Sequence, residues 1–152
     1  MTETLRLFLP LDSVAVSLGA DEAGERLIAH GNNKSEAIEI VRTGSRGMHW
    51  LEPLLEVEVG SVRYGFGPLT PENAGEVLDA IIAGDMKGPH SIGPVDEHPF
   101  LAKQTRWIFD RCGKTNPLSL DDFKRHGGYA GLNAALESSG AEICEAILQS
   151  GL

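Results

Sequence analysis

The chain has 152 residues, 41% of them hydrophobic, and its 13 Lys and Arg against 22 Asp and Glu give a formal net charge of −9. That length suits one ordinary domain or two very small ones. The acidic balance argues against nucleic acid as the main partner, because phosphate binding needs clustered Lys and Arg, and no apolar run approaches the ~18 residues that span a bilayer.

Leu5–Leu9 is a short apolar run ended by Pro10 and reads as a first strand. A helix is expected over 17–30, with Ala23, Leu27 and Ile28 sharing a face and Asp21, Glu22, Glu25 and Arg26 outward. Gly31-Asn32-Asn33 stops it. Ala37–Arg42 reads as the second strand. After the Thr43–Trp50 loop, Leu54–Val59 reads as the third, alternating from Leu55 as a half-buried strand does, with successive side chains on opposite faces. Gly60-Ser61 turns a hairpin into a fourth strand starting at Val62. Thr70 then caps a helix over 71–83, with Pro71 at its first position. Ala74, Val77, Leu78, Ile81 and Ile82 form its buried stripe. The order is β-α-β-β-β-α over residues 1–84, an α+β domain.

Residues 85–99 hold Gly88, Gly93, Pro89, Pro94 and Pro99 and have linker composition. Residues 100–152 form a helical segment. Ser119 is an N-cap before Leu120-Asp121-Asp122-Phe123, and Gly127-Gly128 breaks the helix. Tyr129, Leu132 and Leu136 make a second helix, and Ile143, Ile147 and Leu148 a third, ended by Gly151.

Each candidate for chemistry has a plainer structural reading. Gly65-x-Gly67 precedes a helix, but Pro68 and Thr70 replace the rest of a dinucleotide loop, so it reads as a strand-to-helix turn. His49 has no second metal ligand near it in sequence. His90 and His98 read as solvated. Cys112 lacks a neighbouring histidine or resolving cysteine, and Cys144 reads as packing. Asp121-Asp122 is a helix first turn. Neither a CxxC pair nor a GxSxG elbow is present, which counts against an active thioredoxin and a serine hydrolase. No catalytic, cofactor-binding or metal-binding residue is therefore expected. In the Thr43–Trp50 loop, Gly44 and Gly47 are expected to supply the turn. Met48 and Trp50 should pack part of their apolar area onto the sheet, and Arg46 should project outward, either solvated at the loop tip or available to a partner's carboxylate. The N-terminus lacks the basic start of a signal peptide, and a cytoplasmic location is expected.

Two stretches carry a family resemblance. Residues 43–84, with Thr-Gly-Ser-x-Gly, Glu-Pro-Leu-Leu-Glu-Val, Val-Arg-Tyr-Gly and Leu-Thr-Pro-Glu-Asn, resemble thioredoxin-like [2Fe-2S] ferredoxin domains. That family carries cluster cysteines in this loop, and Ser45 and His49 stand at the matching positions. The resemblance implies a degenerate copy, with the fold kept and the cluster lost. From Thr105 to Leu152, Arg111-Cys112-Gly113, Pro117, Ser119-Leu120-Asp121-Asp122-Phe123, Gly127-Gly128-Tyr129 and Ser150-Gly151-Leu152 are similar to the segment ahead of the flavin site in the NADH-binding 51-kDa-type subunit of complex I. The combined order most resembles the β subunits of molybdenum-containing, NAD-dependent formate dehydrogenases. The resemblance implies electron transfer from formate to NAD, with FMN, NAD and [4Fe-4S] in the full-length parent and none in this chain. It also implies that the chain is an N-terminal, non-catalytic portion whose partners are the other subunits of the oxidoreductase. A stand-alone thioredoxin-like adaptor is the alternative.

Overall fold

A computed structural model describes residues 4–151. Among them are five strands and six α-helices. The strands are β1 (Leu5–Pro10), β2 (Ile38–Thr43), β3 (Leu55–Val59), β4 (Val62–Phe66) and β5 (Ser91–Pro94). The helices are α1 (Ser13–Ser17), α2 (Ala20–Asn33), α3 (Ala74–Ile82), α4 (Leu120–Arg125), α5 (Ala130–Leu136) and α6 (Gly140–Ser150). The sheet order is β2-β1-β3-β4-β5. β1 and β2 are parallel, joined by the α1–α2 crossover, and the remaining pairs are antiparallel. The first four strands and their helices make the expected α+β, thioredoxin-like arrangement.

The helix expected over 17–30 is α2, which starts at Ala20 and continues through Gly31-Asn32-Asn33 instead of stopping before them, and the short α1 precedes it. Asp12 caps α1 by accepting from the Val14 and Ala15 amides at 3.0 and 3.4 Å, and Gly19, at φ +97°, breaks the chain before α2. α2 then buries Ala20, Ala23, Gly24, Leu27 and Gly31. Its small residues let it lie close on the sheet: a Cβ at Gly31 would come within 2.3 Å of the Ile38 side chain. α3 begins at Ala74, three residues later than expected. Thr70 still caps this end, because its hydroxyl accepts from the Asn73 amide and its own amide donates to Asn73 Oδ1 at 2.7 Å.

One face of the sheet carries the main core. Leu7, Leu9, Leu55, Val57 and Phe66 meet Ala23 and Leu27 of α2 and Ala74, Val77, Leu78 and Ile81 of α3. Ile28 and Ile82 are exposed, contrary to expectation. In both helices the buried set runs i, i+3, i+4, i+7, and the isoleucine at i+8 falls at the edge of the stripe.

The stretch read as a linker is instead built into the fold. β5 pairs with β4, with Tyr64 opposite Pro94 and Gly65 opposite Gly93. Val95 joins Met48, Leu54 and Leu101 in a second apolar cluster. Ile92 and Val95 press directly on Gly65, where a Cβ would come within 2.9 Å of each side chain. The chain forms two compact units, Met1–Pro117 and Leu118–Leu152, so residues 100–117 belong with the sheet. In the second unit Ser119 caps α4 by accepting from the Asp122 amide at 3.1 Å. Ser139 and Glu142 form a reciprocal capping box on α6, and Gly151 ends it at φ +76°.

Candidate functional site

Among the described residues, the buried polar or charged side chains are Thr43, Arg46, Glu52 and Glu56. All four lie between the end of β2 and the middle of β3. Burying such groups is tolerated only where each finds partners.

Glu52 follows a single 3-10 turn, His49–Leu51. Its Oε1 accepts from the Ser45 hydroxyl at 2.7 Å, and its Oε2 from the Leu54 amide at 2.9 Å. Ser45 Oγ in turn accepts from the Gly47 amide at 2.9 Å, and Gly47 takes φ +85°. The hydroxyl at position 45 thus ties the loop tip to the strand entrance. Burial pushes the Glu52 pKa up, against the hydrogen bonds from Ser45 and Leu54.

Arg46 does not project outward. It is 2% exposed, and its Nε and Nη2 donate to Glu56 Oε1 and Oε2 at 2.8 and 2.7 Å. Nη1 reaches Asp96 Oδ1 at 3.1 Å. The planar guanidinium fork matches the carboxylate in two parallel bonds. Burial alone would lower the Arg46 pKa, but Glu56 and Asp96 more than offset it, and the net direction is upward. Arg63, one strand over, lies 3.6 Å from Glu56 Oε2 and stacks 3.6 Å above the Phe8 ring. Its Nη2 donates to the Lys114 carbonyl at 3.2 Å.

The alternation of β3 puts Glu56 on the face opposite Leu55 and Val57, which a half-buried strand leaves open. The alternation is real, but the second face is covered: Leu55, Glu56 and Val57 are all buried, and only Glu58 and Val59 emerge. The covering comes from residues 91–117. Gly113, at φ +79°, lies against Arg46, and a Cβ there would overlap the Arg46 stem. The missed signal was the apolar set Ile92, Val95 and Leu101 inside and just after a Gly- and Pro-rich run.

The other sequence candidates are not brought together. His49 is exposed at the loop tip. His90 is exposed, with Nε2 3.8 Å from Glu76. His98 accepts from the Phe100 amide within its own turn. Met48 is buried, as expected, but in the second cluster. Trp50 stays largely exposed, edge-on to Phe100 at 5.0 Å between ring centroids. Cys112 is half-buried, and Cys144 is exposed rather than packed. Gly65 and Gly67 form a close-packed strand end, since a Cβ at Gly67 would come within 2.6 Å of the Leu51 carbonyl.

These residues do not fit the [2Fe-2S] cluster of the ferredoxin-like domains. Position 45 offers a hydroxyl already committed to Glu52 and Gly47, and position 49 an outward imidazole. Among the described residues, no group of three or more His, Cys, Asp or Glu is placed to hold a metal, and no helix is long and apolar enough to cross a membrane. What the fold and the loop define is an α+β, thioredoxin-like domain in which an ion pair and a seryl–carboxylate link order the loop. No protein-family model matches the sequence, and no curated protein matches it.

Proposed function

We propose that this chain is the non-catalytic portion of an electron-transfer subunit in an NAD-linked oxidoreductase, a formate dehydrogenase that passes electrons to NAD in the cytoplasm. The FMN, NAD and [4Fe-4S] chemistry belongs to the remainder of that assembly. This chain's task is to hold subunits together. The observation that carries the reading is the rewired loop. Gly47 alone, not Gly44 as well, makes the turn at positive φ, and Ser45–Glu52 and Arg46–Glu56 supply the order where the ferredoxin-like domains would have a cluster.

The same self-sufficiency favours, as second reading, a stand-alone thioredoxin-like adaptor without redox activity. Co-expression with the remainder of a formate dehydrogenase β subunit, which carries the flavin and cluster sites, and with its catalytic partner subunit separates the two. A stoichiometric complex with formate-dependent NAD reduction supports the subunit reading. A folded chain that never associates with those subunits defeats it and leaves the adaptor.

A further inference from the structure

Trp107, Ile108 and Phe109 are consecutive and 87%, 89% and 63% exposed. They sit on a turn held at both ends. On the near side Leu101 is buried and Arg106 Nη2 donates to the Arg46 carbonyl at 3.3 Å. On the far side Gly113 lies on the Arg46 stem and the Lys114 carbonyl accepts from Arg63. Within the turn, the Cys112 amide donates to the Phe109 carbonyl at 3.1 Å. An apolar group so held presents its surface without first having to be ordered, which lowers the entropy cost of binding. A contiguous exposed apolar patch marks an interaction surface, and Trp with flanking Arg is the composition of binding hot spots.

The charge around the turn selects the occupant. Between residues 103 and 114 the chain carries Lys103, Arg106, Arg111 and Lys114 against one acidic residue, Asp110. The rest of this chain is strongly acidic. Two copies meeting through this turn would oppose like charges. A flat anionic bilayer would meet more of this acidic chain than the turn alone. A cleft in a protein engages the turn alone.

We infer that the Trp107–Phe109 turn docks into an apolar cleft rimmed by carboxylates on a partner subunit of the oxidoreductase. The inference rests on the subunit reading above. The test uses the full chain co-expressed with the same β-subunit remainder and catalytic partner subunit, and compares the parent with Trp107→Ala and Lys103→Glu. Trp107→Ala should weaken the complex about 30-fold or more. Lys103→Glu should weaken it and reduce its salt dependence. Both variants should melt like the parent, since both side chains are exposed. If the complex forms and both variants bind as tightly as the parent, the turn is not the docking surface, although the subunit reading survives. If no complex forms, both fall. Self-association abolished by Trp107→Ala, or binding to phosphatidylserine vesicles with a blue-shifted tryptophan emission, would overturn the inference in favour of a second copy or a lipid surface.

Discussion

Removing one partner of the Arg46–Glu56 pair leaves the other charged and dry, and this asymmetry sets the expected cost. Arg46→Met should destabilise by about 3–5 kcal/mol in a denaturant melt. The double variant Arg46→Met with Glu56→Leu should recover part of that loss, because the dry Glu56 charge is gone while Arg63 keeps Glu58 and the Lys114 carbonyl as partners. A single variant that unfolds at the parent's midpoint would mean the pair is not desolvated. Glu52 gives a pH test. Its folded pKa lies above the ordinary 4.5, so the folded state holds the proton longer than the unfolded chain does. The resulting stability is full below pH 4.5 and is lost as pH rises through the folded pKa. Glu52→Gln can still accept from the Leu54 amide through its carbonyl oxygen and donate its side-chain N–H to the Ser45 hydroxyl oxygen. It should therefore flatten the melting temperature against pH in that window. An unchanged slope would show that Glu52 does not titrate there.

At the scale of elements, the strands and helices of the main core could be read from period alone. Leu7, Leu9, Leu55 and Val57 alternate, and Ala74, Val77, Leu78 and Ile81 follow the helical stripe. Ile81→Ala should cost about 2–5 kcal/mol. Ile81 is 5% exposed and Ile82 38%, so Ile82→Ala should cost no more than about 1 kcal/mol. Equal losses in urea melts would mean that α3 is rotated from the face described here. What could not be read is the second face. Periodicity reports that a strand has two faces and says nothing about what covers the polar one. The burial of Arg46 and Glu56 is not legible because their cover, residues 91–117, reads locally as linker composition followed by a mixed apolar and basic segment. β5 is short and Gly- and Pro-bearing, and only its pairing with β4 reveals it.

Across the whole chain the two units differ in what they bury. The first holds both apolar clusters. In the second, no described side chain between 118 and 151 is buried, although α4 and α6 are capped by Ser119 and Ser139. Capping and local hydrogen bonds alone support short helices poorly. Amides in α4, α5 and α6 should accordingly exchange with solvent deuterium much faster than those of β1 and β3. Comparable protection in the chain alone would contradict this, and protection gained only in a complex would locate a partner on the second unit.

The glycine at 113 carries a consequence for the order of events in folding. The guanidinium of Arg46 can leave water only when the strand bearing Glu56 is in place and the 106–114 segment has closed over it. The last closure therefore seals a charge pair rather than an apolar seam. A half-closed cover would leave the pair partly stripped of water and not yet fully paired, which disfavours intermediate positions of the segment. The thirteen-residue span from Leu101 to Gly113 should thus latch and release as one unit, carrying its protruding tryptophan with it.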